Sequence, residues 1–580
     1  MWSRRAGRIS SPRTIAVLAA AVTTVVATAP AASAAPAATA APAAEQGPTA
    51  EYVVAFTGSP EAATAAVQAA GGSVADVTEE VGVALVTSDN ARFLGDVRAS
   101  GGIAGAARNH AVGTSHPGMP HRFADERPPG AHPGGGGPGS GGGPSGHGPG
   151  EEPLADLQWD MEMIGATPDA AQRRATGKGV DVGIMDTGID ATHPDLARNF
   201  DAARSRNFTT DMPDIDGPCE VPSCVDPADV DGDGHGTHVA GIVAADDNGF
   251  GIGGVAPDAT LVNVRAGQDS GYFFLYETVA ALVYSAEIRL DVVNMSFYTD
   301  PWLYNCTSRD EYLEGTVTDE ELAEQRLVRE LLTGALDYAS GRGVTLVSAA
   351  GNEHTDLAAP TRVDEMSPDY PPDAASPRVV ANTCLNLPSE APNVISVSAV
   401  GPSTTKADYS NYGLGDVEIA APGGWYRDLV GTPAYMTAGN LILSSYPLQA
   451  AIDQGLADPG GQPVDDMSVR YCDAAGVCGF YTYLQGTSMA SPHVAGVAAL
   501  VIDEFGRPTG HGGRALDPAV VARVLARSAA DHPCPAGGVE DYTDEGRDPA
   551  LFNAVCQGTT DVNGLYGEGI VDAAAAVRGW

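Results

Sequence analysis

Short apolar runs alternate with amphipathic segments along most of the chain. Each run has the length of a buried strand and is bounded by polar or glycine residues; the runs lie at 180–185, 259–264, 292–295, 344–349 and 394–400. Residues 273–288 have a helical pattern, and the capping-box pattern from Thr318 to Glu321 begins a longer helix that ends at Gly341. Apolar strands that alternate with helices predict an α/β fold, with a doubly wound, mostly parallel sheet covered by helices on both faces.

Two polar residues follow predicted strands directly. Asp186 comes after the run 180–185, and Asn352 comes just after the run 344–349. In sheets of this kind, functional sites lie outside the carboxyl ends of the strands. Asp186 and Asn352 are therefore candidates for chemistry.

A smaller α/β module is predicted at residues 50–115. Its predicted elements are a strand at 52–56, a helix at 60–70 and a second strand at 81–86. Residues 116–153 follow as a linker, because they are rich in Gly and Pro and have almost no apolar side chains with which to form a core. The large sheet is then expected within residues 154–580.

The first residues have the pattern of an export signal. Four arginines precede an apolar stretch, and Ala32-Ser33-Ala34 has the form of a cleavage site, which predicts a signal peptide at 1–34 and a secreted protein. The pair Arg4-Arg5 raises a twin-arginine route, although the surrounding motif is poor. No later segment has the pattern of a membrane span or anchor.

The charge and the cysteines narrow the class of protein further. A net charge of −42 argues against nucleic acid and anionic membranes as partners. It indicates a solvated acidic surface or, locally, calcium binding. Eight cysteines suit an exported chain, and proximity suggests the pairs 219–224, 306–384, 472–478 and 534–556, although about 105 connectivities are possible.

Ser488 lies at a turn followed by a run of small residues, in the stretch from Gly486 to Gly496. Such a turn can expose a hydroxyl at the positive end of a closely packed helix, where backbone N–H groups point at an oxyanion. By itself, a Thr-Ser pair before an Ala-rich helix is more often an N-cap. The residues upstream distinguish these alternatives.

Four segments together supply the groups that an activated serine needs. They are Gly183–Asp190 with Asp186, Asp233–Gly241 with His235, Ala349–Asn352, and the motif around Ser488. A serine hydroxyl needs an imidazole to take its proton and an acid to orient that imidazole. The Asn352 side chain and the N–H of Ser488 can supply donors to the oxyanion.

The order Asp, His, Ser and all four motifs resemble the subtilisin-like serine peptidases (subtilases), and the match runs from about Trp159 to Trp580. The resemblance implies that Asp186 orients the base, His235 acts as general base and then acid, Ser488 is the nucleophile and Asn352 is an oxyanion donor. His238 and His493 are interpreted as packed helix residues.

The resemblance also implies structural calcium and no organic cofactor. Asp195 occupies the position of a family ligand, and the loop 245–253 resembles the family calcium loop. The implied ligands in the loop are the side chain of Asn248 and the carbonyl oxygens of Asp246, Phe250 and Ile252. The alternative interpretation is a solvated acidic turn. A second acidic stretch, Asp229 to Gly234, begins like an EF-hand loop but has Ala240 at its twelfth position, so we interpret it as a turn.

Residues 50–115 resemble, more weakly, a subtilase propeptide that acts as an intramolecular inhibitor; the alternative is an unrelated small domain. The long linker departs from the family pattern. A further departure is Ser296-Phe297-Tyr298-Thr299, where family members commonly have Ser-Leu-Gly-Gly. We expect Ser296, Phe297, Tyr298 and Gly351 to contact substrate, with Tyr298 narrowing the groove unless it points outward.

The sequence thus predicts a secreted, monomeric endopeptidase made as an autoprocessed zymogen that acts on proteins or peptides. Tyr298 and the inserted segments, including 425–483, favour a narrower processing peptidase as the alternative. A calcium-dependent binding protein with a silent triad is a third possibility. The intact set Asp186, His235, Asn352 and Ser488 argues against it.

Overall fold

The structure is a computed structural model that describes residues 46–109, 152–371, 374–509 and 513–579. The predicted signal peptide and nearly all of the predicted linker lie outside the described residues. The helices are α1 Pro60–Ala69, α2 Phe93–Arg98, α3 Trp159–Met163, α4 His235–Ala244, α5 Leu275–Glu287, α6 Asp319–Gly341, α7 Leu448–Asp453, α8 Thr487–Phe505, α9 Pro518–Ser528, α10 Pro549–Phe552 and α11 Ala573–Ala576.

The strands are numbered in the same way along the chain. They are β1 Gln46–Phe56, β2 Gly72–Thr78, β3 Val83–Asn90, β4 Ile103–Arg108, β5 Asp181–Met185, β6 Arg206–Asn207, β7 Thr260–Arg265, β8 Val292–Met295, β9 Tyr312–Glu314, β10 Thr345–Ala349, β11 Thr361–Asp364, β12 Arg378–Ala381, β13 Val394–Val400, β14 Ile419–Pro422, β15 Ile442–Tyr446, β16 Ser468–Cys472, β17 Cys478–Leu484, β18 Arg507–Pro508, β19 Arg514–Ala515, β20 Val539–Glu540 and β21 Ala554–Val555.

A seven-stranded sheet forms the centre of the large domain, in the order β14-β13-β10-β8-β5-β7-β6. Every pairing in it is parallel. The register places Val182 of β5 opposite Leu261 of β7 on one side and Val292 of β8 on the other. The predicted α/β class with a mostly parallel sheet is confirmed.

Helices cover both faces of this sheet, which explains why its strands are apolar on both sides. Val182 and Ile184 of β5 pack in the cluster that contains α4 and α8, whereas Met185 packs in the cluster that contains α5 and α6. Adjacent side chains of a strand point to opposite faces, so a strand buried twice must be apolar throughout. Both long helices predicted from the sequence, α5 and α6, are present, and Thr318 with Glu321 forms the predicted capping box of α6.

Residues 46–109 form a second, smaller sheet with the antiparallel order β2-β3-β1-β4. Its first face packs on α1 and α2, and its other face presents apolar residues, including Val53 and Ala107, to α5 and α6. The predicted strand at 81–86 begins only at Val83, because Glu79–Val81 form a 3₁₀ turn that ends in the left-handed conformation at Gly82 (φ 65°).

The eight cysteines form the four disulfides suggested by proximity: Cys219–Cys224, Cys306–Cys384, Cys472–Cys478 and Cys534–Cys556. The Cys306–Cys384 bond joins two segments that are 78 residues apart in the sequence. Among the described residues, no helix is both long enough and apolar enough to cross a membrane.

Two glycines in helices provide a matched test of packing. A Cβ at Gly496 of α8 would lie 2.6 Å from Val255 Cβ, whereas a Cβ at Gly334 of α6 would meet nothing within 4 Å. We expect Gly334→Ala to stabilise the fold by about 0.5–1 kcal/mol through helix propensity. Gly496→Ala should destabilise it by about 1–3 kcal/mol, because overpacking exceeds that gain.

Urea unfolding in a Ser488→Ala background, which avoids self-digestion, would measure both changes. Equal shifts of the two midpoints in the stabilising direction would contradict the close packing of α8 against Val255.

Candidate active site

Asp186 and His235 form a buried hydrogen-bonded pair. Asp186 directly follows β5, and His235 is the first residue of α4; both are almost fully buried. Asp186 Oδ1 lies 2.7 Å from His235 Nδ1 and also accepts from the Thr187 N–H. Because an ionised carboxylate only accepts hydrogen bonds, this pair places the proton on Nδ1 and leaves Nε2 as the basic nitrogen.

Asp231 organises the turn that leads to His235. Its Oδ1 accepts from Gly234 N at 2.8 Å and from Thr187 Oγ1 at 3.0 Å, and its Oδ2 accepts from Thr237 N and Thr237 Oγ1. The stretch from Asp229 to Gly234 is thus a turn that uses the Asp231 carboxylate internally, as interpreted from the sequence. The turn ties the end of β5 to the start of α4. Gly234 has a φ of 106°, a conformation that other residues rarely adopt.

Ser488 lies in the first turn of α8, and no side chain caps that helix. Gly486 is the N-cap, so the hydroxyl of Ser488 does not act as a cap. The Ser488 hydroxyl donates to the Ser296 carbonyl at 3.3 Å, and the Ser296 hydroxyl donates to the Ser488 carbonyl at 2.9 Å. Because α8 packs against α4, the N-termini that carry Ser488 and His235 belong to neighbouring helices.

The amide of Asn352 has a fixed orientation. Its Oδ1 accepts from both the N–H and the hydroxyl of Thr487, each at 2.9 Å. The Thr487 hydroxyl in turn accepts from Gly351 N at 3.1 Å. With the oxygen held against Thr487, the Nδ2 donor of Asn352 is directed to the opposite side of the amide.

A cavity of about 830 Å³ has Ser488 and Asn352 in its wall. All four residues expected to contact substrate also line it, namely Ser296, Phe297, Tyr298 and Gly351. Sequence reasoning missed further lining residues, which include Glu353, His354, Asn386, Tyr409, Met366, Leu551 and Phe552. The sequence indicates only that inserted segments follow Asn352. No sequence pattern predicts the path that these segments take through the structure.

Tyr298 is held in the cavity wall by an inserted segment. Its hydroxyl donates to Asp369 Oδ2 at 2.6 Å. Asp369 lies between β11 and β12, which belong to a small sheet with β9. The Cys306–Cys384 disulfide joins the segment before β9 to the segment after β12. Tyr298 therefore lies in the cavity wall, and its narrowing of a substrate groove stays a prediction.

The residues that the resemblance assigns to calcium come together. Asp195 Oδ2 accepts from Ile252 N at 3.2 Å, and Asp246 N donates to the Asp195 carbonyl at 2.8 Å. Asn248 reaches the same region, where its Nδ2 donates to the Pro194 carbonyl. Phe250 completes the loop between them and is buried.

Glu152 adds a carboxylate that the sequence analysis did not include. Its Oε1 accepts from Gly249 N at 2.9 Å, within the same loop. Burial and the neighbouring Asp247 raise the pKa of Glu152 to about 8, and burial raises the pKa of Asp195 to about 7. Asp195 Oδ1 is buried without a hydrogen bond among the described residues. Carboxylates whose charged forms are this costly fit a hard divalent cation with oxygen ligands.

A fully buried lysine, Lys406, lies in the segment that supplies Tyr409 to the cavity wall. Lys406 Nζ donates to the carbonyls of Ala407 at 2.8 Å and Ser410 at 2.7 Å. Burial lowers the pKa of Lys406 to about 7. The same segment supplies Tyr409 to the cavity wall and Asn411, whose Nδ2 donates to the carboxylate of Glu353.

Chemically, the site combines a hydroxyl at a helix N-terminus, a buried imidazole oriented by a carboxylate, and a fixed amide. The positive end of α8 and the amide favour negative charge that develops beside Ser488. These are the requirements of acyl transfer to a serine.

The sequence of this chain is similar to those of known proteins. Residues 177–569 match the sequence model described as the Subtilase family. The chain is 28% identical over 331 residues to thermitase of Thermoactinomyces vulgaris, an alignment that covers 57% of this chain and 77% of thermitase. It is 28% identical over 333 residues to subtilisin DY of Bacillus licheniformis, covering 57% and 78%.

A solved structure shares the fold over most of the chain. The crystal structure of the epidermin leader peptide processing serine protease of Staphylococcus aureus superposes with a TM-score of 0.59 at 20% identity. The superposition covers 91% of this chain and 98% of that one. At this identity, the likeness establishes the fold alone.

The buried lysine predicts how stability depends on pH. The pKa of Lys406 falls from 10.5 in the unfolded chain to about 7 in the fold, so between these values the unfolded chain binds the extra proton. Stability should therefore rise with pH, by up to about 1.4 kcal/mol per pH unit. Lys406→Met should flatten this rise, because the substituted side chain does not titrate.

Urea unfolding of both proteins between about pH 7 and 9.5, below the range where tyrosines titrate, would measure the two slopes. Parallel slopes would contradict a neutral, buried Lys406.

Proposed function

This chain belongs to the subtilase family, and we propose that it is a secreted serine endopeptidase that cleaves peptide bonds through an acyl-enzyme on Ser488. One observation supports this proposal more strongly than the others do. The Asp186–His235 pair, at 2.7 Å, lies at the N-terminus of α4, which packs against α8, the helix whose first turn contains Ser488. A buried imidazole oriented in this way is the base that a serine nucleophile requires.

In the first step, Ser488 Oγ attacks the carbonyl carbon of the substrate while His235 Nε2 takes the hydroxyl proton. Asp186 holds the imidazole in the required tautomer and stabilises the imidazolium. The carbonyl oxygen becomes an oxyanion, which accepts from Asn352 Nδ2 and from the N–H of Ser488. The contacts of Asn352 Oδ1 with Thr487 support this role, because they fix the direction of the donor.

In the second step, the imidazolium of His235 gives its proton to the departing amine, and the acyl group stays on Ser488. Water then attacks the carbonyl carbon of the acyl-enzyme while His235 takes one of its protons; the bond to Ser488 Oγ breaks, Oγ regains that proton from His235, and the carboxylic acid product leaves. Proton and leaving group balance at each step, so the site requires no cofactor for the reaction itself.

A restricted processing peptidase is the second candidate, and the position of Tyr298 favours it. The hydrogen bond to Asp369 holds the phenol ring in the cavity wall, where many family members have a glycine. An aromatic ring at this position reduces the space available to a substrate strand. The protein would then cut fewer sequences, with the same chemistry.

Residues 46–109 are proposed to be the propeptide of a zymogen. Their sheet packs on α5 and α6, and Asn109, just after β4, donates to both carboxylate oxygens of Glu277 at 3.0 and 3.1 Å. Asn109 Oδ1 also accepts from Tyr276 N, in the first turn of α5. Before cleavage, the Gly/Pro-rich segment 116–153 would keep this module at high local concentration beside the catalytic domain.

Structural calcium is proposed at Asp195, Asn248 and the carbonyl oxygens of Asp246, Phe250 and Ile252. Glu152 joins this set because it reaches the same loop. When bound, calcium would neutralise the buried carboxylates and fix the loop that follows α4. It takes no part in the reaction on Ser488.

A label and two substitutions test the catalytic assignment. A fluorophosphonate should label Ser488, and Ser488→Ala should abolish labelling and lower kcat by roughly 10⁴-fold or more. Asn352→Ala should lower kcat by about 10²–10³-fold with little change in KM, because its donor acts on the oxyanion. Asn382→Ala, a change at an exposed asparagine, is the matched control.

If the processed, folded protein is not labelled at Ser488, the enzyme assignment fails, and a binding protein with a silent triad is the remaining explanation.

Processing of the chain tests the zymogen proposal. We expect the N-terminus of the secreted mature protein to lie after Asn109, and the Ser488→Ala protein to keep residues 46–109 attached. Peptide sequencing of both secreted proteins measures this. A mature N-terminus before Glu51 would contradict the propeptide assignment, and normal processing of Ser488→Ala would contradict self-cleavage.

A further inference from the structure

The loop that carries Asn352 needs a support for its backbone as well as for its side chain. Asn352 Oδ1 accepts two hydrogen bonds from Thr487, and these set the direction of the amide. The described residues between β10 and β11, however, form no helix and no strand, so no regular hydrogen-bond ladder holds their backbone. The position of the Asn352 donor therefore also depends on whatever fixes this loop.

Asn411 forms hydrogen bonds to the loop on both sides of Asn352. Its Nδ2 donates to the Ala350 carbonyl at 3.0 Å, and its Oδ1 accepts from Thr355 N at 2.7 Å. The backbone N–H of Asn411 donates to the Gly351 carbonyl at 2.9 Å. One residue thus holds the backbone both before and after the proposed oxyanion donor.

The amide of Asn411 is matched closely to this position. Its Nδ2 also donates to Glu353 Oε2 at 2.6 Å, and the residue is fully buried. A primary amide combines two N–H donors with an oxygen acceptor, whereas an ionised aspartate of the same size has no donor. A Cβ at Gly351 would lie 2.4 Å from Asn411 Nδ2, so the amide packs directly against the backbone next to Asn352.

Asn411 is itself attached to the large sheet. The Ser410 hydroxyl donates to the Asn411 carbonyl at 2.9 Å and accepts from Ala399 N, in β13, at 3.0 Å. Strand β13 pairs with β10, the strand that leads into the Asn352 loop. The Lys406 ammonium donates to the Ser410 carbonyl at 2.7 Å. This support therefore runs from the sheet to the loop and is separate from the contacts that α8 makes through Thr487.

We propose that Asn411 is a positioning residue for catalysis, which holds the loop of Asn352 so that the Asn352 amide can donate to the oxyanion formed at Ser488. The inference rests on the proposed function, because it concerns the same reaction. Thr487 fixes the oxygen end of the amide, and Asn411 fixes the backbone from which the amide extends. A preorganised donor needs both supports, because a misplacement of about 1 Å can slow a reaction by roughly 10²-fold.

A double-mutant cycle separates this role from a general structural one. If Asn411 acts through Asn352, removal of the Asn411 amide slows the reaction only while the Asn352 donor is present. If Asn411 only maintains the fold, its removal slows the reaction by the same factor with and without that donor. The coupling between the two substitutions therefore distinguishes the alternatives.

The cycle needs the processed parent, Asn411→Ala, Asn352→Ala and the double variant, each matured where necessary by a tagged parent that is then removed. The values of kcat and KM would be measured with p-nitrophenyl butyrate, a small ester whose acylation and deacylation both pass through an oxyanion. The kcat would be expressed per site labelled to completion by a fluorophosphonate, so that misfolded protein does not contribute. Asn440→Ala, alone and with Asn352→Ala, is the matched control, because Asn440 is also buried and donates to two backbone carbonyls but lies outside the cavity wall.

We expect Asn411→Ala to lower kcat by roughly 10-fold to 100-fold and to change KM by less than about threefold. In the Asn352→Ala background, the same substitution should lower kcat by less than about threefold. Asn411→Asp keeps the size of the side chain and removes its donors, so it should behave as Asn411→Ala does. Asn440→Ala should change kcat by the same factor in both backgrounds.

The possible failures are distinguishable. An unchanged kcat in Asn411→Ala, or an equal loss in both backgrounds, would overturn the inference and leave the roles proposed for Ser488 and Asn352 intact. An unchanged kcat in Asn352→Ala would refute the oxyanion role of Asn352 and, with it, this inference. A folded, processed parent that no fluorophosphonate labels would refute the proposed function itself.

Discussion

The hydrogen bond between Asp186 and His235 is the constraint on which the rest of the site depends. Both side chains are almost completely removed from water, so their polar atoms must be satisfied within the protein. The backbone after β5 and the start of α4 approach each other this closely only because residue 236 is a glycine. A Cβ at Gly236 would lie 2.2 Å from the Gly188 carbonyl oxygen. Asp231 then ties the strand end to the helix start. The pair is therefore held by the sheet and by α4 rather than by flexible loops.

Inserted segments contact the site from two sides. Gln454 and Tyr446 both donate to the Asp233 carbonyl, at 2.6 and 2.9 Å, and so brace the turn before His235 from the 425–483 insert. On the opposite side, Asp369 fixes Tyr298 in the wall of the cavity. The proposed catalytic residues thus lie on the large sheet and its helices, while inserted segments supply part of the cavity wall.

The acidic composition has local as well as general consequences. A net charge of −42 keeps the surface hydrated, but several carboxylates lie below that surface, where water cannot compensate them. Where Arg362 meets Glu390 or Arg378 meets Asp364, the chain supplies its own counterion. Around Asp195 and around Asp211, the positively charged side chains of the protein are too few to balance the carboxylates.

The sequence by itself predicted most strands of the large sheet and the candidate catalytic residues, because short-range patterns indicate both. Apolar runs located β5, β7, β8, β10 and β13 of the large sheet to within one residue at each end, and the four motifs named Asp186, His235, Asn352 and Ser488. In the small sheet the predicted bounds of β1 and β3 were less accurate, and the prediction did not include β2, β4, β6 or β14. Tertiary structure alone decided which way Tyr298 faces, that Glu152 contacts the loop 246–252, and that Asp211 lies near Asp269. These contacts join residues far apart in sequence, and their existence depends on the paths of inserted loops, which no local pattern specifies. The free energy of a buried charge likewise depends on its neighbours in space, and the sequence does not list those neighbours.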